Sequence, residues 1–115
     1  MHFESLGIMS DAYRVSRKEI LDWINKVLQT DLHKIEQLGT GAVLCQLFHA
    51  YFREAVKLPQ VKWGARSEHE FVNNFKVLQQ AFKKQGLNKN IDIQKLVQCK
   101  YQDNLEFIQW LKHIL

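Results

Sequence analysis

Apolar residues recur three and four positions apart along much of this chain, the spacing of helices that bury one face. The clearest case is residues 67–85, where Ser67 and Glu70 have the spacing of a capping box. Gly86 follows, and glycine can adopt the left-handed conformation that ends a helix. One stripe of this helix carries four large apolar side chains: Phe71, Phe75, Leu78 and Phe82. We therefore predict that it is the buried central helix of a small domain.

The same spacing predicts further helices on both sides of the central one. Three are long, over residues 16–29, 42–52 and 103–115, and two are short, over residues 32–38 and 92–98. No segment alternates apolar and polar residues as a half-buried strand does. The sequence thus predicts an all-α fold, with four principal helices and two short ones.

Several helix ends have their own signals. Ser16 with Glu19, and Asp103 with Glu106, repeat the capping-box spacing. The Gly39-Thr40-Gly41 run is expected to break the short helix before it. We therefore place the start of the first helix at Ser16 and that of the last at Asp103.

Helical spacing fails between residues 53 and 66. Pro59 and Gly64 interrupt this segment, which indicates a loop. The loop is basic, and we expect its two large apolar residues, Val61 and Trp63, to point inward. Residues 1–14 also lack a sustained period and are predicted to form a flexible arm.

Composition and length indicate one ordinary globular domain. The 115 residues are 46% hydrophobic and 24% charged, enough for a core without disulfides. Cys45 and Cys99 follow no disulfide framework, so we predict free, buried thiols in a reducing cytosol. No apolar run approaches the roughly 18 residues of a membrane span, and no signal peptide is evident. We expect a soluble intracellular protein that has no membrane partner.

Positive charge is concentrated in one part of the chain. The net charge of the chain is +4. Residues 57–100 contain nine basic and three acidic residues, a charge of +6, so the rest of the chain carries −2. Such a distribution suits an acidic macromolecular partner, although a solvated surface without a partner is an alternative.

Candidate chemical sites are weak. Gly39-Thr40-Gly41 lacks the preceding strand and following lysine of a phosphate loop. Cys45 and His49 lie four apart, but no nearby residues complete a four-ligand zinc site. Acidic and histidine side chains at residues 68–70 have no nucleophile spaced to work with them. We predict no catalytic residue, metal or cofactor.

Three strings of this sequence are distinctive: Lys34-Ile35-Glu36-Gln37-Leu38, Glu68-His69-Glu70-Phe71 and the run from Gln102-Asp103-Asn104 through Glu106-Phe107 to Gln109-Trp110. Together they resemble the calponin-homology domain of the microtubule end-binding, or plus-end tracking, family. The resemblance extends from about Val15 to His113 without evident gaps. Residues 15–115 are thereby interpreted as a calponin-homology domain.

This resemblance implies a non-catalytic module that recognises the tubulin lattice at growing plus ends and regulates microtubule dynamics. The positions that match the family's microtubule-binding residues are Arg17, Lys62, Arg66, Lys89, Lys100 and Gln102. Many members carry two lysines where this chain has Pro59-Gln60, and we expect Lys57 to compensate in part. The implied location is cytoplasmic, on microtubule plus ends and the spindle.

Family members continue into a linker and a dimerising coiled coil. No such heptads occur here, so we expect a monomeric domain from a longer protein that dimerises. Two alternatives stay open. One is an actin-binding or signalling calponin-homology domain; the other is a small basic nucleic-acid binder, which is disfavoured because the aromatic residues fall at core spacings.

Overall fold

The computed structural model describes residues 15–115, which form an all-α domain. The predicted arm, residues 1–14, lies outside the described residues. The α-helices are α1 (Arg17–Leu28), α2 (Ala42–Tyr51), α3 (Glu68–Lys84), α4 (Ile93–Leu96) and α5 (Tyr101–Ile114). Two 3₁₀ helices, Ile35–Thr40 and Leu58–Gln60, connect them. The predicted fold class is confirmed.

Helix α3 is the central helix, as its spacing predicts. Phe75, Leu78 and Phe82 are fully buried, whereas Phe71 is only partly buried. Ser67 and Glu70 form both bonds of the capping box. Gly86 follows the helix with a φ of 74°, the left-handed conformation expected of a terminating glycine.

The C-terminal half of α3 packs into a group of rings that we call the aromatic cluster (Phe48, Phe82, Phe107 and Trp110). The ring centroid of Phe82 lies 5.1 Å from that of Phe48, 5.7 Å from that of Trp110 and 6.4 Å from that of Phe107. These rings join α2, α3 and α5. Such aromatic pairs stabilise a core beyond the area they bury.

The last helix begins earlier than predicted. Lys100, not Asp103, precedes its first residue, and Asp103 lies within its first turn. The cause is Asn104, whose buried amide donates to the carbonyl oxygens of Lys100 (2.9 Å) and Leu96 (3.2 Å). These bonds fix the turn between α4 and α5. Helix α4 is also shorter than the predicted 92–98.

The short helix predicted over residues 32–38 is shifted to Ile35–Thr40 and is 3₁₀ rather than α. The side chain of Asn25 holds Leu32 out of the helix. Its Nδ2 donates to the carbonyl of Leu32, and its Oδ1 accepts from the N–H of Leu32, both at 2.8 Å. Gly39 and Thr40 belong to the 3₁₀ helix. Of the three residues predicted to break the helix, only Gly41 lies at its end, with a φ of 79°.

Some large apolar residues at helical spacings in α1, α2 and α5 lie at the surface. Tyr51 is 42% exposed and Val27 is 36% exposed. The Tyr51 hydroxyl accepts a 3.0 Å hydrogen bond from Nε1 of Trp23 at this surface. Ile114, in the last turn of α5, is also exposed.

Both cysteines are free, but only Cys45 is buried; Cys99 is partly exposed. Burial raises the pKa of Cys45 to about 12, so this thiol stays protonated. No helix within residues 15–115 is long and apolar enough to cross a membrane.

Candidate binding surface

Asn74, a fully buried side chain of α3, connects the basic loop to the longer 3₁₀ helix. Its Oδ1 accepts from the N–H of Lys62 at 2.7 Å, while its Nδ2 donates to the carbonyl of Lys62 at 3.1 Å. The same Nδ2 donates to the carbonyl of Thr40 at 2.9 Å. Because a buried amide is costly to leave unpaired, these bonds hold the two segments in one register.

Gly39 brings the 3₁₀ helix against the chain that leads into α5. A Cβ at this position would lie 2.4 Å from Sγ of Cys99 and 2.8 Å from its Cα. Only glycine permits this approach, since the Cα cannot move without its backbone. Lys100 follows Cys99 directly, so Lys62 and Lys100 are both anchored at the end of the 3₁₀ helix.

Arg17 lies near the other end of the same 3₁₀ helix. It lines a groove with Leu32 and His33, which lie three and two residues before the first residue of that helix. Six 3₁₀ residues span about 12 Å. The structure therefore places cations of the basic loop and of the start of α5 near one end of this short helix, and a cation of α1 near its other end.

We call these residues, with two close sequence neighbours, the basic surface: Arg17, Lys62, Arg66, Lys100 and Gln102. All five side chains are exposed. The two ion pairs within residues 15–115, Lys18–Asp22 and Lys95–Asp92, involve none of them. Within the described residues, these cations therefore form no direct ion pair with an acidic side chain.

Lys89 differs from these residues in its surroundings. It is partly buried, with Nζ 4.9 Å from the centroid of the Trp110 ring. Its carbonyl accepts from Nε2 of Gln79 at 2.8 Å. Trp110 lies eight residues beyond Gln102 on α5, roughly 12 Å along the helix axis. Lys89 is therefore set apart from the basic surface and packs against the aromatic cluster.

Lys57 also lies elsewhere, in what we call the lysine groove (Lys57, Lys83 and Lys84). Ala55, Gln60 and Val77 line this groove as well. Nζ of Lys84 donates to the carbonyl of Glu54 at 2.7 Å, which ties the end of α3 to the loop. The structure places Lys57 beside Gln60, near the end of α3 opposite to Ser67.

Trp63 does not point inward as the sequence predicts; it is 51% exposed, whereas Val61 is buried. In an extended strand the two would share a face. Here the N–H of Ala65 bonds to the carbonyl of Lys62, so Trp63 is the second residue of a turn and not part of an extended strand. The turn directs Trp63 into solvent.

Sequence reasoning gave no role to Asn74 and treated Gly39 only as part of a helix break. A usable signal was present for Asn74, since it lies three residues after Phe71 and four before Leu78, on the buried stripe. A polar residue at such a position is expected to bond to backbone groups. Nothing in the spacing identifies Gly39, whose contact with Cys99 is long-range.

The residues weighed as chemical sites have structural roles. Oε1 of Glu70 accepts from the N–H of Arg66 and from the hydroxyl and N–H of Ser67, and these bonds lower its pKa. Cys45 donates its thiol to the carbonyl of Asn74 at 3.3 Å. Within residues 15–115, no three His, Cys, Asp or Glu side chains are grouped to hold a metal ion.

Comparison with known proteins identifies a family and a similar solved structure. The family model for the calponin homology (CH) domain matches residues 14–115. A structure solved in a study of the structural basis of microtubule plus end tracking by XMAP215, CLIP-170 and EB1 is 44% identical in sequence. The match covers 84% of this chain and 82% of that chain, with a TM-score of 0.79. Both matches are to binding modules and not to a known enzyme family.

Proposed function

The chain belongs to the calponin-homology (CH) domain family, and we propose that it is a non-catalytic module that binds microtubules through the basic surface. The observation that carries this proposal is that Arg17, Lys62 and Lys100 lie at the two ends of the longer 3₁₀ helix. The likeness to a structure from a study of plus-end tracking supports the choice of partner.

Electrostatics favour this partner. The outer surface of a microtubule is acidic, and exposed cations that form no ion pair within their own domain speed the encounter with such a surface. Because Asn74 and Gly39 hold the backbone at Lys62 and beside Lys100, little conformational freedom of the backbone is lost there on binding. Binding should weaken as salt increases, since ions screen exposed charges.

The finer proposal is that the domain prefers the lattice at growing plus ends and there regulates microtubule dynamics. Its location would be the cytoplasmic microtubule array and the spindle. In a longer, coiled-coil dimer, a second domain would raise the apparent affinity through effective concentration. Lys89 and Lys57 are proposed to contact the lattice outside the basic surface.

Co-sedimentation with microtubules and with actin filaments tests the proposal. The wild-type domain should pellet with microtubules, and Lys62→Glu should lower the affinity at least about tenfold, as reversal of an interface charge can. Lys62 is suited to this test because its backbone, not its exposed side chain, bonds to Asn74. Unfolding temperature should hardly change.

Lys26→Glu is the matched control, because it reverses an exposed lysine near the opposite end of α1 from Arg17. Its microtubule affinity should stay within about twofold of wild type, as for a surface change outside the interface. Pelleting with actin alone would overturn the proposal. Imaging of the labelled domain on dynamic microtubules tests the preference for growing ends over the shaft.

A further inference from the structure

We infer that Trp63 is an apolar anchor of the microtubule-binding surface, a contact that the charged residues alone would not supply. This inference rests on the proposed function. Trp63 lies on the basic loop, directly after Lys62 and three residues before Arg66. Aromatic residues that become buried at the centre of an interface often carry much of its binding energy.

The surroundings of Trp63 differ from those of the other two tryptophans. Nε1 of Trp23 bonds to Tyr51, and Nζ of Lys112 lies 5.2 Å from its ring centroid. Trp110 packs in the aromatic cluster beneath Lys89. Trp63 is 51% exposed and has no hydrogen-bond, ring or cation partner among residues 15–115. Its apolar surface is therefore available to a partner.

The backbone that carries Trp63 is held in place. Lys62 is bonded to Asn74 through both its N–H and its carbonyl. Two residues earlier, the carbonyl of Gln60 accepts from Nδ2 of Asn73 at 2.8 Å, and Val61 is buried between these points. An exposed indole on a fixed backbone is pre-organised, so less entropy is lost when it is buried by a partner.

Charge decides the kind of partner. Residues 57–67 contain three cations and no acidic residue. A surface that covers Trp63 must also accommodate Lys62 and Arg66, which requires an acidic surface with an apolar recess. The microtubule wall that the basic surface is proposed to contact satisfies the charge requirement. A single-stranded nucleic acid, whose bases stack on exposed rings, is the competing occupant.

The test compares Trp63→Ala and Trp63→Phe with wild type in microtubule co-sedimentation at several salt concentrations. Trp63→Ala should lower the affinity about tenfold to thirtyfold, as removal of an interface anchor does. Trp63→Phe should recover most of that loss, because it retains a ring. Val27→Ala is the control: it shortens an exposed apolar side chain on a different element, α1, and should change the affinity less than about twofold.

Salt dependence separates an apolar contact from an electrostatic one. The loss caused by Trp63→Ala should be equally large at low and high salt, because apolar burial is not screened. Lys62→Ala should instead lose most of its effect at high salt. A Trp63→Ala loss that disappears at high salt would overturn the inference.

Other outcomes are equally decisive. If wild type pellets with microtubules and Trp63→Ala pellets equally well, the inference is wrong and the proposed function stands. If wild type does not pellet, both fail. A fall in unfolding temperature that accounts for the lost binding would assign Trp63 a folding role instead. Gel-shift titration with oligo(dT) tests the competing occupant. If wild type binds the oligonucleotide and Trp63→Ala abolishes that binding without changing microtubule affinity, Trp63 binds nucleic acid and the inference is wrong.

Discussion

The two halves of α3 are buried by different chemistry. Near its N-terminal end, Asn74 is fully buried and is bonded to two other segments. Toward its C-terminal end, Phe82 is fully buried among the rings of the aromatic cluster. Both side chains are inaccessible to water, yet the first is held by directional bonds and the second by non-directional apolar contact.

This difference separates stability from geometry. Ring packing contributes free energy roughly in proportion to buried area, and a ring can shift slightly without losing it. Hydrogen bonds at 2.7–3.1 Å fix where Lys62 and Thr40 lie relative to α3. The aromatic half should therefore determine whether the domain folds, and the polar half should determine how the basic surface is arranged.

Phe82→Ala should have the largest effect on stability, a loss of about 3–5 kcal/mol in the free energy of unfolding. The cavity would open where α2, α3 and α5 meet. Urea denaturation measures the loss, and Phe82→Leu, which keeps most of the volume, should cost much less. Microtubule affinity of the molecules that remain folded should be unchanged. A selective loss of affinity would contradict the division between the two halves.

Asn74→Ala should cost about 1–3 kcal/mol, because it leaves the N–H and carbonyl of Lys62 and the carbonyl of Thr40 without their partner. Unlike Phe82→Ala, it should also weaken microtubule binding while the protein is still folded. Asn73→Ala is the control, since that neighbour makes a single bond to the basic loop, at Gln60. If Asn73→Ala and Asn74→Ala lower stability and microtubule affinity equally, Asn74 does not have a distinct role in arranging the basic surface.

Gly39→Ala should cost about 1–2 kcal/mol, in the lower part of the range for overpacking. The added methyl group would force the 3₁₀ helix away from Cys99. Gly64→Ala is a matched control, because a Cβ at Gly64 meets no atom within 4 Å. Thermal unfolding of both variants checks the comparison. A destabilised Gly64→Ala together with an unaffected Gly39→Ala would show that close packing is not the cause.

Lys89→Glu should cost about 0.5–1 kcal/mol of stability, because its ammonium group lies over the Trp110 ring. The sequence alone suggests an exposed lysine whose reversal leaves stability nearly unchanged; the partly buried position corrects this. Lys26→Glu, an exposed lysine without a ring partner, serves as the comparison in thermal unfolding. If the two variants have the same unfolding temperature, the ring contact contributes nothing measurable.

The smallest expected effect concerns pH and the capping box. The pKa of Glu70 is lowered in the folded state from an ordinary value of 4.5, so its ionised form stabilises the fold. That contribution is complete above the unfolded pKa and is lost as pH falls through the lower, folded pKa. Glu70→Gln should make stability less dependent on pH in this acidic range. An unchanged pH profile would remove Glu70 as a contributor.

The aromatic half of α3 was largely predictable, and the polar half was not. Spacing alone predicts the burial of Phe75, Leu78 and Phe82, because helical periodicity is a local property of the sequence. Asn74 occupies the same stripe, but its partners are 12 and 34 residues away in sequence. Trp63 was wrongly placed inside because apolar character does not indicate how a loop turns.

The sequence by itself determined the fold class, the position of the central helix and the excess of positive charge, since each follows from local spacing or composition. The family resemblance supplied the list of candidate cations. Only the tertiary structure decided that Arg17, Lys62 and Lys100 lie at the two ends of one 3₁₀ helix while Lys57 and Lys89 lie apart. The physical reason is that this arrangement depends on long-range contacts of Asn74, Gly39 and Trp110, which no local pattern encodes.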